Sequence, residues 1–137
     1  MNNIGRVYFG LKGDFIPDEI TEFIGIQPTK ALREGERDPE RNIPRCSIWN
    51  FSSETIDAEV VDVYELSDWV INQLSPKQQE IKQAIRKWNL YAVLEVVLYI
   101  STDEEVSTPA IGFEQSTINF LADVGATIDI DTYRNSE

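Results

Sequence analysis

The run from Tyr91 to Ile100 is the most apolar stretch of the chain, and it constrains the fold more than any other feature. Every second residue from Ala92 onward is apolar, and Glu95 is the only charged residue in the run. The valines and tyrosines favour an extended backbone, and no polar stripe appears at helical spacing. The pattern therefore predicts a strand at the centre of a sheet, buried on one face and partly buried on the other.

Length and residue types limit what this sheet can belong to. The 137 residues suffice for one domain, residues 1–137, that folds without a disulfide or a metal. The chain has one cysteine, Cys46, and no histidine. This excludes zinc sites of the usual Cys/His kind and catalytic triads that depend on histidine. We predict no catalytic residue, no cofactor and no metal site, and therefore a protein that is not an enzyme.

Acidic residues exceed basic ones, and the excess lies in the second part of the chain. The net charge is −12, and residues 54–137 hold sixteen of the twenty-four acids but only five of the twelve bases. Such a surface repels nucleic acid and anionic membranes, and it complements a basic protein. No apolar run reaches membrane-spanning length, and the first residues lack the features of a secretory signal. We therefore expect a cytoplasmic protein, either monomeric or homodimeric.

Strand and helix patterns alternate along the chain. Alternating or apolar residues predict four strands, near residues 6–11, 46–52, 91–100 and 126–133. Helical spacing predicts helices near residues 17–24, 66–74, 76–88 and 114–124. This order predicts an α+β two-layer sandwich, in which three or four helices cover one face of a four-stranded, mainly antiparallel sheet.

Two of these helices have an apolar stripe that predicts their buried side. In the helix near residues 66–74 the stripe consists of Leu66, Trp69, Val70 and Leu74. In the helix near residues 114–124 it consists of Ile118, Leu121 and Ala122. We expect both stripes to face the sheet.

The segment 54–68 carries acids without a single base, with apolar residues between them. Clustered negative charge accelerates association with a basic partner, and aliphatic or aromatic side chains supply anchors. The predicted partner-binding residues are Glu54, Asp57, Glu59, Asp62, Tyr64, Glu65 and Asp68. The alternative is a solvated approach to the next helix, whose acids only keep the protein in solution.

A second candidate site involves the long loop predicted for residues 27–45. Arg33 and Arg37 lie in it, and arginine forks suit phosphate or carboxylate groups. In the alternative hypothesis the protein is a small anionic-ligand-binding or enzymatic domain, and these two arginines bind the ligand together with Trp49, Asp131 and Tyr133. Acidic residues alternate with these arginines, which favours local salt bridges over ligand binding.

The last predicted strand presents Asp129, Asp131 and Tyr133 on one face. Two carboxylates at this spacing suit magnesium or an acid–base pair, but an exposed strand face explains them more simply. Glu95, inside the apolar strand, has either a raised pKa or a basic partner such as Arg6 or Arg86.

Several short motifs, spread over nearly the whole chain, resemble the bacterial family known as domain of unknown function 4279. These motifs are Phe9 with Pro17–Thr21, Gly25–Ala31 with Gly35 and Glu36, Ser47–Asn50, Leu66–Val70 with Leu74, and Asp129–Tyr133. The resemblance implies a soluble α+β domain and assigns no reaction. Small acidic proteins of this type look like the immunity partners of secreted or contact-delivered toxins, which is an analogy.

Charge, composition and resemblance lead to one functional hypothesis. We expect a non-enzymatic cytoplasmic binding protein, specifically an immunity protein that neutralises a basic toxin domain by occluding it. No direct contact with nucleic acid or membrane is expected.

Overall fold

The chain forms an α+β structure around one mixed sheet, which confirms the predicted α+β class. The computed structural model describes residues 1–136, where the sheet has six strands. These are β1 (Asn3–Gly13), β2 (Lys30–Leu32), β3 (Ser47–Ser52), β4 (Ile56–Ala58), β5 (Tyr91–Ser101) and β6 (Thr127–Asn135). Their order across the sheet is β2, β3, β1, β5, β6, and β4 pairs with the beginning of β1.

Four α-helices in the described part of the chain pack on the sheet. They are α1 (Pro17–Ile24), α2 (Val63–Leu74), α3 (Gln78–Trp88) and α4 (Gln115–Val124), and a 3-10 turn, Ser75–Lys77, joins α2 to α3. Their buried side chains share one hydrophobic core with those of β1 and β5. Within residues 1–136, none of the helices has the length and apolar character needed to cross a membrane.

The antiparallel pair of β1 and β5 forms the floor of this core. Val7, Phe9 and Leu94 are fully buried beneath the helices, and Phe9 lies directly opposite Leu94. Because strand side chains alternate between faces, Tyr8 and Glu95 lie opposite each other on the other face. We call this second face, which the core side chains do not share, the open face.

The sheet differs from the predicted four-stranded, mainly antiparallel one in three respects. Two further strands, β2 and β4, extend the sheet. The sequence does not predict them, because segments of three residues carry too little pattern. Strands β5 and β6 are parallel, since α4 provides the long crossover connection that parallel strands need. The middle strand is β1 rather than β5, and it pairs with β3, β4 and β5.

The buried stripes of α2 and α4 are rotated from their predicted positions. Helix α2 buries Val63, Ser67, Val70, Ile71 and Leu74, and helix α4 buries Thr117, Phe120, Leu121 and Val124. The predicted core residues Trp69 and Ile118 are both 46% exposed, and Ala122 is exposed. Each true stripe contains a small hydroxyl residue, Ser67 or Thr117, which a count of apolar residues leaves out.

The segment predicted as a loop, residues 27–45, is partly a strand, because β2 lies within it. The rest is ordered by backbone hydrogen bonds. Asp38 and Ile43 bond to each other in both directions at 3.0 Å, and the Gly35 amide donates to the Pro44 carbonyl at 2.8 Å. Among the described residues, the ion pairing expected here is limited to the exposed pair of Arg41 and Asp38.

Candidate functional site

An open groove with a volume of about 750 Å³ lies between the β3–β4 region and α2. Its lining includes four apolar side chains, Ile56, Val60, Leu66 and Trp69, and three acids, Glu54, Asp62 and Glu65. None of its lining residues is basic. We call the region formed by these seven residues the acidic groove.

Local structure explains why large apolar side chains remain exposed in the acidic groove. Trp69 lies outside the buried stripe of α2 and is exposed, whereas Leu66, three residues earlier, is half-buried and packs against the edge of the core. The Trp69 ring stacks on Phe51 of β3, with ring centroids 5.9 Å apart and planes 10° apart. Val60, between β4 and α2, is 73% exposed. The groove therefore offers a fixed aromatic surface with carboxylates beside it.

Three of the seven predicted partner-binding residues meet in the acidic groove, namely Glu54, Asp62 and Glu65. The other four lie outside its lining. Asp57 accepts a hydrogen bond from Asn2, and Asp68 accepts one from Asn72, both at 3.1 Å. Glu59 is exposed beyond β4. The Tyr64 ring lies against Gly112, where a Cβ atom would come within 2.0 Å of it.

Asp62 also has a structural role, because it caps α2. Its carboxylate accepts hydrogen bonds from the amides of Tyr64 (2.9 Å) and Glu65 (3.4 Å). We expect Asp62→Ala to lower the free energy of unfolding by about 1 kcal/mol, and Asp62→Asn to retain most of it because asparagine caps equally well. Urea unfolding of both variants measures the difference. Equal losses for the two variants would show that the hydrogen bonds of the cap contribute nothing to stability. If the cap does contribute, partner-binding tests should avoid Asp62, because its substitution also destabilises the fold.

The residues of the alternative ligand site do not come together. Arg33 and Arg37 follow β2 at one edge of the sheet, whereas Asp131 and Tyr133 lie on β6 at the other. Four strand spacings of about 4.8 Å place these edges roughly 19 Å apart. Trp49 is fully buried in the core, and its indole N–H donates to the Thr21 hydroxyl at 3.0 Å. No part of its ring is accessible to a ligand.

A second group of acids lies on the open face. Parallel pairing sets Glu95 of β5 opposite Asp129 of β6, and Asp131 lies two residues further along β6, opposite Val97. Carboxylate oxygens of these three residues all lie within 4.8 Å of one another. Glu95 is only 6% exposed, whereas Asp129 is exposed and Asp131 half-buried. We call these three residues the acidic cluster.

The environment of the acidic cluster opposes negative charge on Glu95. Burial raises the pKa of Glu95 to about 8, and hydrogen bonding to Asp131 and Asp129 and their negative charges act in the same direction. Burial and the charge of Glu95 also raise the pKa of Tyr8, which lies opposite Glu95 on β1. The Arg6 guanidinium lies 5.0 Å from the centroid of the Tyr8 ring. Within residues 1–136 no salt bridge joins Arg6 or Arg86 to Glu95, so the structure favours the raised pKa over a basic partner.

Two features of these surfaces were not predicted from the sequence. The apolar stripe predicts Trp69 in the core, which is wrong, and the polar residues Asp68 and Asn72 beside it are the signal of an exposed flank of the helix. The contact between Glu95 and the β6 acids had no signal in the sequence, because it depends on the parallel register.

Comparison with known proteins supports the resemblance seen in the short motifs. No curated protein and no solved structure matches the chain. The family described as Domain of unknown function (DUF4279) matches residues 2–135, a range that includes all six strands, the acidic groove and the acidic cluster. The chain therefore belongs to the DUF4279 family.

Proposed function

We propose that this protein is a cytoplasmic, non-enzymatic binding protein that neutralises a basic toxin domain by occluding it, as an immunity protein does. The observation that carries the proposal is the acidic groove. Exposed Trp69 and Val60 lie beside Glu54, Asp62 and Glu65, with no basic side chain in the lining.

This combination suits a protein partner better than a small anion. Binding energy at interfaces concentrates in a few aromatic or aliphatic anchors that become fully desolvated. Trp69 is such an anchor, because its stacking on Phe51 fixes the ring before binding. The carboxylates around it select a basic surface and repel an acidic one.

The net charge of the chain adds a kinetic argument. A charge of −12 attracts a basic domain from beyond contact distance and raises the association rate, an effect that salt weakens. A protein that must inactivate a toxin before it acts gains from rapid capture. The proposal therefore expects fast, salt-sensitive association and slow dissociation from the Trp69 anchor.

The experiment compares groove variants with a control of equal charge change. Wild-type protein captures its partner from extracts of the source cells at low salt, and the captured protein is identified, expressed and tested for toxicity in a host. We expect Trp69→Ala to weaken its binding at least about 10-fold, since a desolvated aromatic anchor contributes more than about 1.4 kcal/mol. We expect Glu54→Lys with Glu65→Lys to slow association and reduce its salt dependence.

The control variant is Glu104→Lys with Glu105→Lys, in an exposed turn remote in sequence from the groove. It makes the same change in net charge, and we expect it to retain most of the affinity and to protect the host. Equal loss in the control and groove variants would reduce the mechanism to net charge alone. A captured protein without toxicity would contradict the immunity function, even if the groove binds it.

A further inference from the structure

The two aspartates of β6 alone would be an ordinary exposed acidic pair. The structure adds a separate observation. The Glu95 side chain from β5 is directed at these aspartates, and it is only 6% exposed. Within residues 1–136 no ion pair reaches Glu95. Burial opposes a third negative charge at this position, so the cluster takes up either a proton, which Glu95 then donates to an aspartate, or a cation.

The basic residue nearest in the sheet does not neutralise the site. Arg6 lies on β1 opposite Val97, and its guanidinium is positioned over the Tyr8 ring. It forms no ion pair with Glu95, Asp129 or Asp131 in the described part of the chain. The positive charge that balances the acidic cluster is therefore either a proton on Glu95 or a cation from solution.

The spacing of the three carboxylates suits a metal ion. Their oxygens lie within 4.8 Å of one another. Two oxygens on opposite sides of an ion are about 4.2 Å apart around Mg²⁺ and about 4.8 Å apart around Ca²⁺. Ligand oxygens on adjacent positions are closer, so one ion can contact all three residues with small side-chain movements.

The sheet holds these ligands rigidly. Glu95 lies between Leu94 and Val96, which are both fully buried in the core. Paired positions of β5 and β6 continue beyond the cluster to Tyr99 and Tyr133, whose rings stack with centroids 4.9 Å apart. A fixed backbone on both strands reduces the cost of arranging the ligands.

We propose that Glu95, Asp129 and Asp131 bind one hard divalent cation, with Mg²⁺, Mn²⁺ and Ca²⁺ as the candidate ions. Three carboxylates without nitrogen or sulfur ligands favour this class over zinc or copper. Water completes the coordination on the solvent side of the open face. The site shares no residue with the acidic groove and does not depend on the proposed function. It revises the prediction of no metal site, which considered the β6 aspartates without Glu95.

Metal titration of the full chain, freed of metal with a chelator, tests the proposal. Mg²⁺, Ca²⁺ and Mn²⁺ are added separately at constant ionic strength, and binding is followed by calorimetry, by the Mn²⁺ spin-resonance signal and by the thermal unfolding midpoint. We expect one ion per chain and a higher midpoint. We expect Asp129→Asn and Asp131→Asn, which change exposed or half-exposed side chains, each to weaken binding at least about 10-fold, because a hard cation requires charged oxygen ligands.

A matched control separates this site from general attraction of cations to an acidic protein. Asp103→Asn removes one charge from an exposed turn, and it should bind the ion as the wild type does. Absence of stoichiometric binding by the wild type would overturn the proposal. Equal weakening in Asp103→Asn, Asp129→Asn and Asp131→Asn would also overturn it, because only net charge would then matter.

Discussion

The metal-free wild-type protein is expected to lose stability between pH 5 and pH 8, and replacing Glu95 by glutamine is expected to abolish this loss. Burial and the two neighbouring aspartates raise the pKa of Glu95 from 4.5 to about 8 in the folded chain. The unfolded chain has an ordinary glutamate there. Between these pKa values the folded state holds a proton that the unfolded state has released, so rising pH favours unfolding.

The sign and the size follow from this linkage. Both states are protonated below the unfolded pKa, so the stabilising contribution is complete there, and it is lost as pH rises through the folded pKa. The slope approaches about 1.4 kcal/mol per pH unit, which gives a loss of up to about 4 kcal/mol from pH 5 to pH 8. This is a large part of the roughly 5–15 kcal/mol that stabilises a typical domain.

The groups that face Glu95 determine the design of the test. They are Asp129 and Asp131 on β6, and Tyr8 with Arg6 above its ring on β1. The raised pKa of Tyr8 lies above the window, so the phenol stays neutral throughout it. A glutamine at position 95 stays neutral at every pH, and its amide can donate to either aspartate.

Urea unfolding at half-unit pH steps, with a chelator present, measures these curves for three proteins. Glu95→Gln should be nearly flat from pH 5 to pH 8 and more stable than the wild type at pH 8. Glu104→Gln, in an exposed turn, should fall as the wild type does. A wild-type curve without the fall, or a Glu95→Gln curve that falls equally, would show that Glu95 is not protonated in the folded state.

The residues of the acidic cluster can be selected from the sequence, but their contact cannot. Glu95 is conspicuous as the only charge in the apolar run, and Asp129 and Asp131 are conspicuous as a pair on one strand face. Their contact depends on β6 lying beside β5 in parallel register. The sequence predicts a mainly antiparallel sheet and no strand order. It therefore cannot predict this parallel register, since strand order depends on the packing of the whole chain.

The acidic groove shows the same limit for a helix. The acids Glu54, Asp62 and Glu65 could be selected from their spacing and from the absence of bases. The aromatic part was missed because the phase of α2 is set by Ser67 and Val63, which pack against the core while Trp69 turns outward. β4, which contributes Ile56, has only three residues and acquires its strand form from pairing with β1.

The two tryptophans Trp49 and Trp69 therefore have the opposite of their predicted environments, and the same substitution at both should separate them. Trp49, considered as a ligand contact, is fully buried, and Trp69, considered as core, is 46% exposed. We expect Trp49→Ala to cost about 3–5 kcal/mol of unfolding free energy, because it leaves a large cavity beneath α1. We expect Trp69→Ala to cost less than about 1.5 kcal/mol, mainly the stacking on Phe51.

A third variant divides the effect at Trp49 into packing and hydrogen bonding. Thr21→Val removes the acceptor of the indole N–H, at 3.0 Å, while keeping the shape of the side chain. It should cost about 1–3 kcal/mol, because the buried N–H is left without a partner. Urea unfolding of the three variants at one pH provides the comparison. If Trp49→Ala and Trp69→Ala cost the same, Trp49 does not anchor α1 to the sheet. If the expected order holds, Trp49 is needed for the fold, and Trp69 remains available for a partner.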